Sequence, residues 1–284
     1  MASYRFCRTD DIPLLVEAHN RCCMFPGEDQ PALTVELFRR AIHEINLWSS
    51  SCSLAIVDGE PVGVVLATKR DRATLIHRMG VLPEHRRQGH GRHLLTSLSN
   101  KLAILGPPRL EAELPLDRPD LEAFFLACGY QPGESFSDFY LEHPGPVPAG
   151  ADLAIPVNLD DITGSEAWAP DTPRSWERTL ETLANRRDKI TGLAVASDTR
   201  IEAWLLHFTP PLNGTRQVVA MGAAPGEQAR ALLAILMARC AGEAGSGMTI
   251  PRVSSGEIDF ALLESWGYRR TRDYRSYAAA PVAG

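Results

Sequence analysis

The residues best suited to chemistry lie in one short stretch, Val81-Leu-Pro-Glu-His-Arg-Arg-Gln-Gly-His-Gly-Arg92. Apolar patterning predicts a strand before this stretch and a helix that starts near Gly89. The first N–H groups of a helix have no partner within the helix, and the helix dipole adds partial positive charge there. Glycines let the backbone approach a ligand closely, and Arg86 and Arg87 add charge and donors. The stretch Arg86 to Gly91 is therefore predicted to bind a diphosphate group.

Two other phosphate motifs do not fit this stretch. A P-loop requires GxxxxGK[ST], and none of the three lysines, Lys69, Lys101 and Lys189, stands in one. The dinucleotide-binding fingerprint needs a third glycine where this chain has Leu94, and it belongs at an earlier strand–helix junction. The remaining alternative is a basic surface loop that contains glycine.

His77 is the candidate for proton transfer. On a regular strand it shares a face with Leu75, Met79 and Val81, which predicts a lone imidazole among apolar side chains. An imidazole with a pKa near ~6.5 can accept a proton at neutral pH. The alternative is a structural histidine that bonds to a backbone carbonyl.

The elements that would position these residues alternate along the first half of the chain. Asp58-Gly59 between two apolar runs predicts a tight hairpin, because a type I′ turn needs positive φ angles. The other predicted elements are helices from Asp10 to about Asn20 and from Thr34, a strand at about 73–81, a helix after Gly89 that stops at Gly106, a strand at 110–116, a helix over 121–128 and a strand at 136–141. Together they predict an α/β fold with a mixed, mostly antiparallel, twisted sheet flanked by helices.

A linker rich in proline and glycine divides the chain, and the two sides resemble each other. Phe260-Ala-Leu-Leu-Glu-Ser-Trp-Gly-Tyr268 mirrors Ala123-Phe-Phe-Leu-Ala-Cys-Gly-Tyr130, and Asp160-Asp-Ile162 mirrors Asp10-Asp-Ile12. The hairpin pattern also recurs, at 192–197 and 201–207. Three similarities in the same order predict duplicated domains at 1–143 and 152–284, joined by a linker at 144–151.

Composition excludes several classes of protein. The net charge of -6 argues against a broad nucleic-acid surface. No apolar run is long enough for a membrane span, and no secretory signal is recognisable, so the expected compartment is the cytoplasm. The six cysteines form no CxxC pair, and His85, His90 and His93 belong to or adjoin the anion-binding stretch, so no metal site is expected. The Cys22-Cys23 pair is interpreted as core rather than as a nucleophile.

Arg86-x-x-Gly89-x-Gly91 resembles the [RQ]-x-x-G-x-[GA] motif of the GCN5-related N-acetyltransferases, the GNAT family. The flanking Val81-Leu-Pro-Glu-His and Leu94-Leu95 fit as well, and Phe124-Phe-Leu-Ala-Cys-Gly-Tyr130 resembles the family's "LYEKLGF" segment. The resemblance covers about residues 3–142. It implies two tandem GNAT-like domains that use acetyl-CoA as cosubstrate.

The resemblance also assigns roles to residues. It implies that Arg86, Arg87, Gln88, Gly89, His90 and Gly91 bind the coenzyme diphosphate, and that Met79 and Val81 pair through their backbones with the pantetheine arm. The strand before the motif would splay from its neighbour to admit the thioester, whose carbonyl the Val81 N–H would polarise. His77 stands nine residues before the motif, as a histidine does in the arylalkylamine acetyltransferases of this family.

Other positions leave alternatives open. The tyrosine that often protonates the leaving thiolate in this family is replaced by Phe125, which would line the coenzyme site without a hydroxyl, so Tyr130, Tyr140 or unassisted departure takes its place. Glu111 and Glu113 either receive a cationic amine or face solvent. Glu28 and Asp29 either shape the acceptor pocket or belong to an ordinary solvated loop.

In the second half the motif falls on Ala224-Pro-Gly-Glu-Gln-Ala229, which has lost the arginine and both key glycines, so only the first domain is expected to bind coenzyme A. The sequence therefore predicts transfer of acetyl to a primary amine of a small molecule or peptide, by direct attack in a ternary complex. A coenzyme-A-binding regulatory protein without catalysis and a scaffold that dimerises through the second domain are the alternatives. Neither a nucleic-acid nor a membrane partner is expected, and a homodimer is left open.

Overall fold

The computed structural model describes residues 1–23, 32–210, 214–244 and 247–282. Glu28 and Asp29, which would either shape the acceptor pocket or belong to a solvated loop, fall outside these residues. Among the described residues, no helix is both long enough and apolar enough to cross a membrane.

The chain forms two compact units. The first unit consists of Met1–Leu114, Arg118–Gly133 and Ser276–Gly284, and the second consists of Pro115–Asp117 and Glu134–Arg275.

The first unit is built around a mixed sheet. Its elements are β1 (Ala2–Phe6), α1 (Ile12–Cys22), α2 (Val35–Glu44), β2 (Ser53–Val57), β3 (Glu60–Lys69), β4 (Thr74–Val81), α3 (His90–Leu105), β5 (Leu110–Pro115) and α4 (Pro119–Ala127). Strands β1 to β4 pair antiparallel in sequence order, and β4 pairs parallel with β5. The two faces of β3 pack against different helices. Val65 and Ala67 belong to one core cluster with leucines of α3. Val64 and Leu66 belong to another with apolar residues of α1.

The second unit repeats this plan. Its elements are β6 (Gln131–Leu141), most of which lies in this unit, β7 (Ile155–Val157), α5 (Leu159–Thr163), α6 (Leu180–Asn185), β8 (Thr191–Ala196), β9 (Ile201–Phe208), β10 (Arg216–Ala223), α7 (Glu227–Ala244), β11 (Met248–Ser254), α8 (Phe260–Ser265) and β12 (Arg269–Ala279). Strands β7 to β10 pair antiparallel, β10 pairs parallel with β11, and β11 pairs antiparallel with β6. The predicted fold class, a mixed and mostly antiparallel sheet with flanking helices, is confirmed for both units.

Each unit contains a strand segment from the other half of the sequence. In the first unit, Tyr277 is buried in the core with α3, and its hydroxyl donates to Glu122 Oε1. In the second unit, Phe139 of β6 is buried with residues of α7 and β11. The compact units therefore exchange the segments that follow Gly133 and Arg275. The predicted division into 1–143 and 152–284 describes the sequence repeat and stays a prediction.

Local signals account for several element boundaries. Asp58 and Gly59 have φ angles of 52° and 89°, as the predicted hairpin turn requires. Thr34 caps α2, because its side-chain oxygen accepts the Leu37 N–H at 3.2 Å. The predicted cap at Asp10 is wrong: α1 follows a 3₁₀ turn at Thr9–Asp11, and its N-cap is Asp11, which makes no side-chain capping bond.

Candidate active site

The parallel strands β4 and β5 of the first unit separate partway along their length. They pair only between Thr74–Ile76 and Leu110–Ala112, although β4 continues to Val81 and β5 to Pro115. Among the described residues, the two strands form no further pair after Ile76 of β4 and Ala112 of β5. The predicted splay of these strands is therefore present, and it opens a gap whose edge is the backbone of β4.

His77 lies at the point where the gap opens, in a β-bulge. Across from β3, Leu66 is opposite Arg78 and Ala67 is opposite Ile76, so His77 is an extra residue in β4. The extra residue shifts the alternation of side chains. Met79 is opposite Val65 and Leu75 is opposite Thr68, and these β3 partners point to opposite faces. The prediction that His77 shares one face with Leu75, Met79 and Val81 is therefore wrong.

The backbone of Met79 and Val81 faces the gap. The Leu82 N–H donates to the Val62 carbonyl of β3 at 2.9 Å. Because N–H direction alternates along a strand, the N–H groups of Val81 and Met79 point away from β3, towards the side on which β5 has separated. A ligand arm in the gap would meet these groups. The pairing with pantetheine stays a prediction.

The predicted diphosphate turn joins a 3₁₀ turn, Pro83–His85, to α3. Arg87 and Gly89 both have positive φ, at 62° and 89°, and Gly89 is the N-cap of α3 without a side-chain capping bond. Nothing lies within 4 Å of a Cβ built on Gly89, so glycine is needed there for its conformation rather than for space. Within the described residues, the backbone N–H groups of residues 87–92 donate to no protein acceptor. The turn thus presents a run of available donors at a helix N-terminus, the arrangement that binds anions.

Gly91 has a different role from Gly89. A Cβ on Gly91 would come within 3.2 Å of Met79 Cε and 3.3–3.4 Å of the Phe124 ring. Its absence lets β4 and α4 pack against the first turn of α3. The contact of Phe124 with this turn was not predicted, because the sequence does not show which side of α4 meets α3.

Two side chains of the turn stabilise its shape. Arg86 Nε donates to the Val81 carbonyl at 3.0 Å, and Gln88 Nε2 donates to the Glu84 carbonyl at 3.0 Å. Arg86, Arg87 and Gln88 are all exposed. Arg86 therefore connects the end of β4 to the turn, in addition to supplying positive charge.

Phe125 is buried in the core of the first unit. Only 3% of it is exposed, and its ring contacts Phe124 and Tyr130 edge-on at centroid distances of 5.5 and 5.0 Å. Its predicted contact with the cosubstrate stays untested. Tyr130 is equally buried, and burial raises the pKa of its hydroxyl. Tyr140, the other proposed acid, belongs to the second unit.

The carboxylates of β5 lie on the side opposite to its buried leucines, as the alternation predicted. Glu111 Oε1 pairs with Arg109 Nε at 2.8 Å. Burial raises the pKa of Glu111, and the positive charge of Arg109 opposes that shift. Glu111 is therefore already engaged by a neighbouring cation, and Glu113 is half-buried on the same face.

The structure adds one ionisable pair to the site that sequence reasoning missed. A Cβ on Gly80 of β4 would lie 2.1 Å from the Cys22 carbonyl oxygen, so the end of α1 contacts β4 directly. His19 lies one helical turn earlier, and its pKa is lowered by burial and by the positive charge of Arg78 on β4. Its position four residues after the buried Leu15 is the signal that places it on the inner face of α1.

Metal-binding groups and the Cys22 thiol are the other candidates for chemistry at the site. No group of three metal-binding side chains occurs among the described residues. Burial raises the pKa of the Cys22 thiol to about 11, which keeps it protonated and unreactive at neutral pH.

Residues 14–130 match the model of the acetyltransferase (GNAT) family. The first unit thus carries a GNAT-family domain, the GNAT domain of this chain.

Solved structures extend the likeness over both units. A GCN5-related N-acetyltransferase from Sphaerobacter thermophilus is 16% identical with a TM-score of 0.73, over 100% of this chain and 96% of that one. A tandem GNAT protein from the clavulanic acid biosynthesis pathway is 12% identical with a TM-score of 0.70, over 100% of both chains. A putative acetyltransferase from Pyrococcus horikoshii is 15% identical with a TM-score of 0.63, over 99% and 90%. At such identities the likeness establishes the fold, which is that of tandem GNAT proteins.

The second unit retains the GNAT plan without an equivalent turn. Between strand and helix the GNAT domain has residues 82–89, whereas the second unit has only 224–226. The helix α7 also starts with Glu227, whose negative charge is unfavourable for an anion.

The strand gap of the second unit is occupied by its own side chain. Pairing of β10 and β11 ends at Gln217 and Thr249. Beyond it, Arg178 Nη1 donates to the Val218 carbonyl of β10 at 2.8 Å and to the Pro251 carbonyl of β11 at 3.2 Å. A guanidinium therefore bridges the two strands where the GNAT domain has an open gap.

Proposed function

We propose that this chain is an acyl-CoA-dependent N-acyltransferase that transfers acetyl from acetyl-CoA to a primary amine. The observation that carries the proposal is the gap between β4 and β5, which lies at the foot of a turn with available N–H donors. The gap suits an extended thioester arm, and the turn suits the diphosphate at its other end. The acceptor is an amine of a small molecule or of a peptide.

In this proposal the GNAT domain positions the thioester, and the amine attacks it directly. The amine nitrogen adds to the thioester carbonyl, whose oxygen takes the charge and accepts a bond from the Val81 N–H. The C–S bond then breaks, and the amide and the coenzyme thiolate form. With a thiol pKa near ~8.5, the thiolate can leave without a protein acid. No covalent enzyme intermediate is required.

His77 is the proposed base for the amine proton. It lies in the bulge where the gap opens, next to the backbone that would hold the thioester. His19 of α1 gives the acceptor region a second imidazole, and burial together with the positive charge of Arg78 on β4 lowers its pKa. Residues of both α1 and β4 are thus proposed to surround the amine.

Only the GNAT domain is proposed to bind the cosubstrate. In the second unit the turn is short, its helix starts with an acidic residue, and Arg178 bridges the strands. Titration with coenzyme A is expected to give one site per chain.

A matched pair of glycine variants tests this assignment. Gly89 and Gly226 both have positive φ, and nothing lies within 4 Å of a Cβ on either. We expect Gly89→Asp to weaken coenzyme A binding at least about tenfold, because its carboxylate would repel the diphosphate. A tenfold loss of affinity corresponds to about 1.4 kcal/mol of binding free energy. Gly226→Asp, the control in the second unit, should leave the affinity unchanged. Equal affinity in both variants would refute the diphosphate site.

Release of free thiol from acetyl-CoA with a panel of amines tests the activity itself. Turnover with any amine supports the transferase. Phe125, which has no hydroxyl, favours the second candidate, a coenzyme-A-binding regulatory protein, and binding without turnover across a broad panel would support that alternative.

A further inference from the structure

Under the predicted diphosphate turn lies a buried imidazole. His90 is the first residue of α3 and is only 6% exposed, although Gly89 before it is exposed. Its side chain therefore points inward while its N–H belongs to the donor run of the turn. The ring of His85, at the other end of the turn, lies edge-on to it at a centroid distance of 6.1 Å.

A tyrosine from the first strand fixes this imidazole. The Tyr4 hydroxyl of β1 is 2.7 Å from His90 Nδ1. The Tyr4 ring in turn stacks on His93 of α3, with centroids 3.7 Å apart and planes inclined by 27°. Tyr4 is thereby held on both sides, and it holds the His90 ring in one orientation.

The Tyr4–His90 bond suits both charge states of the imidazole. A phenol can donate to Nδ1 of a neutral ring, or accept from Nδ1 of a protonated ring, without a change in atom positions. Among the described residues, no carboxylate makes an ion pair with His90. The titratable side chains that contact it are Tyr4 from β1 and His85 from the 3₁₀ turn, and His93 from its own helix contacts Tyr4.

The charge that surrounds the turn changes sign when a diphosphate binds. The turn carries the positive end of the α3 dipole and two arginines. A bound diphosphate outweighs them and favours the imidazolium. By linkage, a ligand that raises the proton affinity of His90 must bind more tightly as pH falls.

We propose that His90 supplies a proton-dependent positive charge to the diphosphate turn and that Tyr4 is the positioning residue that holds it there. The inference rests on the proposed function, since it needs coenzyme A to bind at this turn. It adds a form of regulation to the site. Binding of coenzyme A takes up a proton, so changes in pH near neutrality alter the affinity for coenzyme A. Because the imidazole is buried, its charge is screened less than that of the exposed arginines.

Calorimetric titration of coenzyme A in two buffers with different ionisation enthalpies measures the proton uptake. We expect the wild-type protein to take up part of a proton at pH 7, and its affinity to rise between pH 8 and pH 6 by less than the one-proton limit of about tenfold per pH unit. The 3′-phosphate of coenzyme A itself titrates near ~6. The titration is therefore repeated with dephospho-coenzyme A, so that protonation of this phosphate does not contribute to the measured uptake.

Three variants separate His90 from its neighbours. His90→Gln keeps a polar partner for Tyr4 and should still bind, with the proton uptake and the pH slope lost. Tyr4→Phe should bind with a reduced slope. His43→Gln, which removes an exposed imidazole of α2, should keep the wild-type uptake.

The outcomes distinguish the inference from the proposed function. Equal proton uptake by wild type and His90→Gln, with both folded by circular dichroism, would overturn the role of His90 while leaving coenzyme binding intact. Should His90→Gln fail to fold, the slope of Tyr4→Phe decides, and a slope equal to wild type counts against the inference. If wild type binds no coenzyme A, the proposed function fails first, and this inference fails with it.

Discussion

Arg178 and Glu257 form a two-point ion pair whose side chains are both fully buried. Arg178 Nε and Nη2 donate to the two carboxylate oxygens at 2.8–3.1 Å. The remaining Nη1 bonds to the carbonyls of Val218 and Pro251 on the two strands that separate. The gap that is proposed to hold a substrate arm in the first unit is thus replaced by an internal contact in the second.

Removal of one partner of this buried pair should strongly destabilise the second unit. Glu257→Ala leaves the Arg178 charge buried without its partner, which costs about 3–5 kcal/mol of unfolding free energy. Chemical denaturation checks the change. Glu202→Gln, which disrupts the exposed pair with Arg200, is the control and should shift the midpoint little. A similarly small shift for Glu257→Ala would show that the pair does not hold the strands.

His77→Ala should lower kcat at least about tenfold, because a general base typically contributes about 10²- to 10⁴-fold to the rate. The affinity for coenzyme A should change little, because His77 lies at the gap rather than at the turn. Steady-state kinetics and calorimetry together check both values. His43→Ala removes an exposed histidine of α2 and should leave both unchanged. An unaltered kcat in His77→Ala would remove His77 from the mechanism.

His207 should make the protein less stable in mild acid. Burial, together with the positive charge of Arg216, lowers the pKa of His207 to about 4. The unfolded chain, with a pKa near ~6.5, therefore binds the proton first. This contribution to stability is complete above that pH and is lost as pH falls from about 6.5 to about 4.

Denaturation at pH 7 and pH 5 measures the effect of His207. Allowing for its partial exposure, we expect wild type to lose about 1–2 kcal/mol more than His207→Gln between these two values. His143→Gln, at an exposed position, should behave like wild type. Parallel losses in wild type and His207→Gln would contradict the assignment.

The exchanged segments predict where two core mutations act. Tyr277→Ala should loosen the GNAT domain although Tyr277 stands in the second half of the sequence, and Phe139→Ala should loosen the second unit. Each truncation of a buried aromatic ring costs about 3–5 kcal/mol. Hydrogen exchange measured on peptides from residues 1–114 and 155–254 locates the loss. Protection that falls in the opposite units would refute the exchange.

Short-range signals explain which parts of the fold were predictable. Asp58-Gly59 and Thr34 act on their own neighbours, so the hairpin and the start of α2 could be deduced from a few residues. The exchange could not, because the apolar pattern of 136–141 is the same whichever sheet the strand joins. Only the alternation within a strand is encoded locally, not its partner.

The candidate site divides in the same way. The turn at Arg86–Gly91 was recognisable because its residue types and its strand–helix setting are local. The bulge at His77 depends on register against β3, and the bond between Tyr4 and His90 joins residues far apart in sequence. The spacing of His19 from Leu15 placed it on the inner face of α1, but only the fold shows that the end of this helix contacts β4.

Because Ser276–Gly284 belongs to the first unit, the ribosome must make nearly all of the second unit before the first can acquire its final segment. Vectorial synthesis usually lets an N-terminal domain fold alone. Here the core of the GNAT domain stays partly exposed to water until the segment that contains Tyr277 has been synthesised. Pulse-labelled nascent chains should therefore become protease-resistant late, and a premature stop in the second half would impair the proposed cosubstrate site, which is encoded long before it.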